Sequence, residues 1–282
     1  MKIGITGING LLGKCANIKL TNSGHELFSL DELTKNNELT NKEINFPEYR
    51  SLDWVIHFAS KTSIEESWEN PYEIYSSNFN STLIALKIAK YSKASFIFMS
   101  SFLYGKPKYF PIDEKHPVHS INPYMSSKII GEELSTRICS INKIPLIILR
   151  GSNIYGDKLF PGRLISDLLI SNKENKPFVI NDPEPRRDYL YVKDFASLIL
   201  KIVEQSPIKN GLFNVGHGES FSNLEVAELF HEITQKNTEI KSSSKKRDSD
   251  ILNASMDVSL VKKTFSWNPE YSLREGLKDL LD

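Results

Sequence analysis

Ile3-Gly4-Ile5-Thr6-Gly7-Ile8-Asn9-Gly10-Leu11-Leu12-Gly13, near the start of this 282-residue chain, decides how the rest is read. A short apolar run comes first, and three glycines spaced GxxGxxG follow it. Leu11, Leu12, Cys15, Ala16, Ile18 and Leu20 then recur at helical spacing, up to a stop at Asn22-Ser23-Gly24. The pattern predicts a strand, a tight turn and a helix. Glycines let the backbone approach a pyrophosphate, which then lies among the unpaired N–H groups of the helix N-terminus. Gly7, Asn9, Gly10, Leu11, Leu12 and Gly13 are therefore candidate dinucleotide-binding residues. The bland alternative is a plain turn with close helix packing.

The same rhythm continues. Glu26 to Leu30, Trp54 to Phe58, Ser95 to Met99 and Pro145 to Leu149 read as strands, and Pro71 to Tyr91 as a long helix. Apolar strands separated by helices predict a doubly wound parallel α/β sheet of the Rossmann type. Beyond Arg150 the rhythm loosens and prolines recur at 161, 177, 183 and 185. The expected division is a dinucleotide-binding domain over 1–150 plus roughly 185–205. A smaller α+β substrate domain is expected over 151–184 and 206–282.

Composition narrows the class. Forty percent hydrophobic and 25% charged residues exclude wholesale disorder. Lys plus Arg number 35, as do Asp plus Glu, so nothing draws the chain to a phosphate backbone or a membrane surface. No apolar run approaches the ~18 residues of a membrane span. Two cysteines, Cys15 and Cys139, make neither a disulfide framework nor a CxxC metal site. His116 and His119 share a loop without a third ligand in register, so no metal is expected. With one Lys and then glycines, the start is not a signal peptide, and a cytoplasmic protein is expected.

Asp31 closes the second strand pattern. An acid there accepts hydrogen bonds from both hydroxyls of an adenosine ribose and repels a 2′-phosphate. No Arg lies within 24–49. NAD(H) is expected over NADP(H), against the alternative that Asp31 is a turn or cap residue.

Tyr124-Met-Ser-Ser-Lys128 places a Tyr and a Lys at i and i+4, on one face of a helix. The ammonium is expected to lower the phenol pKa and make Tyr124 a usable acid and base. Two other YxxxK matches exist. Tyr104…Lys108 spans Gly105 and Pro107, and Tyr189…Lys193 reads as a strand, so neither shares a helical face. Ser100 ends a buried strand, where ligands bind in such sheets.

This set resembles the extended short-chain dehydrogenase/reductase family, the NAD-dependent nucleotide-sugar epimerases, dehydratases and reductases. The resemblance runs nearly end to end. Ser100-Ser-Phe-Leu-Tyr-Gly105 and Asn122-Pro-Tyr-Met-Ser-Ser-Lys128 are similar to its catalytic segments, which implies Ser100, Tyr124 and Lys128 as catalytic residues. Asp53-Trp-Val-Ile-His-Phe-Ala-Ser60 resembles its fourth strand, so Phe58, Ala59 and Ser60 would line the cofactor site. Ser67, Pro71, Tyr75 and Asn78 match a helix whose Asn supports that site. Leu149-Arg-Gly-Ser-Asn153-Ile-Tyr-Gly156, Arg187-Asp-Tyr-Leu-Tyr-Val-Lys-Asp194 and Arg247-Asp-Ser-Asp250 resemble its substrate motifs. Ser101, Asn153, Arg187 and Arg247 would then bind a nucleotide-diphosphate sugar, the arginines through its diphosphate. The bland reading of both arginines is solvated surface charge. The resemblance also implies a homodimer through the helices of Tyr124 and Tyr75–Tyr91. Ile84, Ile88 and Tyr91 recur at helical spacing there, a stripe that serves an interface or faces the sheet.

Departures from the family pattern narrow the chemistry. Its dehydratases carry Asp-Glu where Ser101-Phe102 stands, so 4,6-dehydration is not expected. The stretch 32–52 is polar and short, which suits the 4-keto-6-deoxyhexose reductases. Asp31 and the Arg187 motif suit 4-epimerases. The expectation is hydride transfer at sugar C4, as reduction, with 4-epimerisation as the alternative. A non-catalytic dinucleotide-binding regulator is the remote third reading.

Overall fold

The computed structural model describes residues 1–35, 39, 42, 46–235, 240–242 and 251–282. The first half runs β1 (Lys2–Thr6), α1 (Leu11–Asn22), β2 (Glu26–Ser29), α2 (Asp31–Lys35), β3 (Trp54–His57), α3 (Ile64–Glu69), α4 (Pro71–Ser92), β4 (Ser95–Ser100), α5 (Pro123–Asn142) and β5 (Leu146–Gly151). The second half runs β6 (Asn153–Tyr155), α6 (Leu164–Glu174), β7 (Phe178–Ile180), β8 (Arg186–Tyr191), α7 (Val192–Val203), β9 (Gly211–Val215), β10 (Ser220–Ser222), α8 (Asn223–Thr234), β11 (Ile240–Ser242), β12 (Asn253–Ala254), α9 (Ser259–Phe265) and α10 (Leu273–Asp279).

Six parallel strands make the main sheet in the order β2-β1-β3-β4-β5-β9. All residues of β3 and β4 are buried, because helices cover both faces. Helices α1 and α7 pack together, as do α4 and α5. From β1 the chain steps outward to β2, then crosses back to β3. That reversal leaves a crevice between the carboxyl ends of β1 and β3, the place where such sheets bind ligands. The described part of the crossover carries the short helix α2 and a 3₁₀ turn at Pro47–Tyr49, not a strand.

In the smaller region, β8 pairs antiparallel with β10 and parallel with β12 and β6, while β7 pairs with β11. Two boundaries differ from expectation. Strand β9 joins the main sheet, so 211–215 belongs with the first domain. Strand β8 stays in the small sheet, and the return to the first domain begins with α7. The reason is pairing: β5 offers an open edge that β9 completes, residue for residue from Ile147↔Gly211 to Gly151↔Val215. Among the described residues no helix is long and apolar enough to cross a membrane.

The Ile84 and Ile88 stripe faces the sheet. Both residues are fully buried, in a cluster with Val55, Phe96 and Phe98.

Candidate active site

The glycine loop forms at the end of β1. Gly7 has φ +71°, a conformation that disfavours a side chain, and a Cβ there would lie 2.8 Å from the Ala59 nitrogen. A Cβ on Gly13 would collide with the Gly7 carbonyl oxygen. Gly10 caps α1 without a side-chain hydrogen bond, and no acid lies in the first turn. Backbone donors at that end are therefore open to an anion, and the cradle fits a dinucleotide diphosphate. Leu11 and Leu12 face the other way, into the hydrophobic core, and Asn9 is exposed with its carbonyl near Lys158 Nζ at 3.3 Å. Asp31 stands two residues beyond β2, in the first turn of α2. Its carboxylate accepts the Gly7 N–H, which fixes it beside the loop.

The floor of the crevice is a chain of buried hydrogen bonds that sequence reading missed. Ala59 N–H donates to Thr6 Oγ1 at 3.1 Å, and Thr6 lies 2.8 Å from His57 Nδ1. His57 Nε2 lies 3.1 Å from Thr82 Oγ1, whose only proton goes to the Asn78 carbonyl at 2.7 Å. Donor counting assigns the tautomer: Nε2 carries hydrogen and Nδ1 accepts from Thr6. Burial first, and the Lys128 charge second, push the His57 pKa down to about 3, so the ring stays neutral. It is a packed ring under the crevice.

Asn78 ties three segments together. Its side-chain oxygen accepts from Lys61 N–H at 2.8 Å, and its amide donates to Lys61 O and to Ser127 Oγ at 3.1 and 2.9 Å. Ser127 donates onward to the Tyr124 carbonyl at 2.7 Å. Thus the loop holding Phe58, Ala59 and Ser60 is fixed to the turn of α5 that carries Tyr124. Phe58 packs on Phe195, with ring centroids 5.7 Å apart, and the Ser60 hydroxyl donates to Lys61 O at 3.3 Å.

Helix α5 begins at Pro123. Asn122 caps it by accepting the Met125 N–H at 2.8 Å, and Pro occupies the first helical position. Tyr124 and Lys128 therefore sit one turn apart on the helix. In the other two YxxxK matches, Tyr104 lies in a loop and Tyr189 in β8, before Lys193 on α7.

The electrostatics differ from the simple i, i+4 expectation. Burial pushes the Tyr124 phenol up; the Ser101 hydroxyl, hydrogen-bonded to it, and the Arg163 guanidinium act against that. Lys128 does not set the Tyr124 pKa here. Its ammonium lies over the Phe98 ring, 4.7 Å from the centroid. Burial lowers the Lys128 pKa to about 8, with the Glu132 carboxylate opposing the shift. Arg163 caps α6 and reaches Thr62 Oγ1 at 3.2 Å, across the mouth of the crevice.

Ser100 and Ser101, adjacent in sequence, point apart. Ser101 meets Tyr124, whereas Ser100 is buried and donates to Glu132 at 2.5 Å. Phe102 packs edge-on against Tyr104, with centroids 5.4 Å apart. Asn153 is exposed at the start of β6, with its amide 3.5 Å from the Asp188 carbonyl. Arg187, on β8, donates to the carbonyls of Arg186 and Ile251. These two residues belong to the small sheet. Arg247 lies outside the described residues. Glu132 and Arg163 had no part in the sequence reading, and Ser127 and Arg150 stood inside its motifs with no role assigned. Glu132 was legible as an acid eight residues, about two turns, beyond Tyr124.

The family model described as the NAD dependent epimerase/dehydratase family matches residues 3–216. A Methanocaldococcus jannaschii protein is 30% identical over 304 residues, with 99% of this chain and 96% of that one covered. The human UDP-glucose 4-epimerase is 27% identical over 333 residues, covering 99% and 95%. Among solved structures, a Thermotoga maritima UDP-glucose 4-epimerase with UDP-glucose superposes with a TM-score of 0.88 at 25% identity, covering 100% and 98%. A dinucleotide cradle at a sheet reversal, a helix-borne Tyr and Lys, and a match over three quarters of the chain agree: the chain belongs to the NAD-dependent epimerase/dehydratase family.

Proposed function

We propose that this enzyme interconverts the C4 epimers of a nucleotide-diphosphate sugar, with a UDP-sugar as the first substrate to test. The observation that carries it is Tyr124, a helix-borne proton-transfer group at the crevice. Tyr124 serves one oxygen, with Ser101 on its hydroxyl, and Phe102 holds no proton for a leaving hydroxyl. Chemistry at C4 alone fits that set; dehydration does not. The end-to-end likeness to UDP-glucose 4-epimerases supports epimerisation over reduction. The described part of the β2–β3 crossover holds no strand, which favours the second reading, reduction of a 4-keto-6-deoxy sugar.

When bound, NAD supplies the hydride acceptor and donor. Tyr124 takes the C4 hydroxyl proton and returns it after the sugar has presented its other face. Ser101 holds the oxygen beside Tyr124, in place of Ser100, whose proton goes to Glu132, and Lys128 holds the nicotinamide ribose. Asn153, Arg187 and Arg247 hold the substrate diphosphate. The test is proton NMR of UDP-glucose, UDP-galactose, their N-acetylated forms and the uronates with purified enzyme and no added NADH. A C4 epimer should accumulate. NADH consumption with a 4-keto-6-deoxy sugar, and no epimer from any UDP-sugar, would replace this reading with the second.

Three further outcomes follow. NADH should bind more tightly than NADPH, because the Asp31 carboxylate beside the loop repels a 2′-phosphate. Asp31→Ala should narrow that gap in fluorescence titrations, and equal affinities in the parent protein would remove Asp31 from the role. Arg187→Ala should raise Kd for UDP about tenfold to hundredfold, the worth of a charge-assisted phosphate contact, and leave NADH binding alone. The protein should be a homodimer by light scattering. Its contact would use Phe79 on α4 with Ile130 and Ile141 on α5, which are 40%, 38% and 78% exposed. A monomeric mass at micromolar concentration would refute that.

A further inference from the structure

Arg163 puts a positive charge at the mouth of the crevice, and the proposed reaction gives it no task. The loop between β6 and α6 carries it. Ser166 Oγ accepts the Phe160 N–H at 3.1 Å and Asp167 Oδ1 accepts the Gly162 N–H at 2.9 Å, which folds that loop back onto the start of α6. The guanidinium carbon lies 4.7 Å from the Phe160 ring centroid, and Nη2 donates to Thr62 Oγ1 at 3.2 Å. Arg163 therefore leaves the smaller region and meets the loop after β3. Asn78 and Ser127 fix that same loop to the turn of Tyr124. The Arg163 charge is felt at the Tyr124 hydroxyl, where it opposes the upward push of burial. The other cation of the β3 loop, Lys61, is paired with both Glu66 and Glu73. Asp167 holds the Gly162 N–H, and among the described residues no carboxylate forms an ion pair with Arg163.

We infer that Arg163 is a specificity-determining residue that receives the carboxylate of an acidic sugar, and that the substrate class is the nucleotide-diphosphate uronates. The inference rests on the proposed C4 reading, because Tyr124 at the C4 oxygen is what orients the ring. In a pyranose the carbons beside C4 are C3, which bears a hydroxyl in the common hexoses, and C5, which bears C6. A cation beside Tyr124 therefore stands next to whatever C6 carries. The diphosphate hangs from C1, across the ring from C4, so Arg163 is not a further diphosphate contact. A neutral C6 hydroxymethyl group leaves the guanidinium uncompensated when the bound sugar strips water from it. A C6 carboxylate matches its planar fork with two parallel, charge-assisted hydrogen bonds. Thr62 and the Phe160 ring hold the guanidinium from its other sides, so little side-chain freedom is left to lose on binding.

The experiment measures Kd for UDP-glucuronate, UDP-galacturonate, UDP-glucose and UDP-galactose on protein saturated with NADH, which cannot oxidise a sugar hydroxyl. The uronates should bind about tenfold more tightly than the hexoses, the low end for a charge-assisted pair because Arg163 is exposed. Arg163→Gln should abolish that preference, and Arg163→Lys, which keeps the charge but not the fork, should retain part of it. In turnover, the uronate-to-hexose ratio of kcat/KM should fall about tenfold in Arg163→Gln. Any influence of Arg163 on Tyr124 acts on both sugars and cancels in that ratio. Equal affinities in the parent protein, or a uronate preference that survives in Arg163→Gln, would overturn the inference. Tighter binding of UDP-N-acetylmuramate, whose carboxylate hangs from C3, than of either uronate would overturn it too. Epimerisation of the hexoses with no such preference would sink this inference and spare the C4 reaction. If no UDP-sugar is epimerised, the C4 reaction fails by itself, and the NADH-bound titration still decides whether Arg163 selects a carboxylate.

Discussion

Tyr124→Phe should lower kcat by about 10²–10⁴, the range lost with a positioned acid–base group, and leave folding and NADH affinity intact. The ring stays, so the packing of the first turn of α5 stays. That turn is held through the Tyr124 carbonyl and Ser127, not through the phenol. Only the Ser101 hydroxyl loses a partner, and it is half-buried beside the open crevice. Lys128→Met should also cripple turnover, with weaker NADH binding, so the two variants are told apart by one titration. Neither Tyr104→Phe nor Tyr189→Phe should show the Tyr124 signature. Tyr104→Phe instead removes a hydroxyl that both Arg150 and Asn214 use, so its loss should appear in stability. The assay is single-turnover hydride transfer followed at the nicotinamide absorbance. Near-parental transfer in Tyr124→Phe would overturn the mechanism.

Arg150→Met should be the most destabilising single change at the site. It leaves the Glu132 carboxylate buried without its counter-charge and with only the Ser100 hydrogen bond of the three it accepts there. Removing one partner of a buried pair costs about 3–5 kcal/mol, which corresponds to a fall in Tm on the order of 6–20 °C. The paired change Glu132→Met with Arg150→Met should recover most of that loss, because replacing both charges removes the unpaired one. A Tm for Arg150→Met equal to the parent's would mean that the carboxylate finds another counter-charge. Recovery by the pair, set against the single change, separates the penalty of an orphaned charge from the worth of the ion pair.

The parallel sheet, its glycine turn and the helix of Tyr124 were legible because they are written in local terms. Alternation of apolar runs with helical spacing is a property of neighbours in sequence. So is the glycine triplet, whose spacing only a tight turn uses, and so is Asn122-Pro123, which starts a helix where it stands. The boundary error at β9 has the opposite character. Gly211-Leu-Phe-Asn-Val215 reads like any short strand, and nothing local tells which sheet has an open edge for it. The Ile84 and Ile88 stripe was ambiguous for the same reason: a helical face states that it is buried, not against what.

The sequence by itself determined the fold class, the place of the glycine turn, the one YxxxK match of three whose Tyr and Lys share a helix, and the Phe102 that stands where a dehydratase carries an acid. Each follows from residue type and spacing within a few turns of chain. Only the tertiary structure decided what each polar group is bonded to. It set Ser101 on the Tyr124 hydroxyl and turned Ser100 down to Glu132. It laid Lys128 over Phe98 and made His57 a neutral link between Thr6 and Thr82. Hydrogen bonds join atoms within about 3 Å, and those partners stand 23 to 51 residues apart in the chain. The charge that burial permits depends on those partners, so pKa and role were fixed by packing.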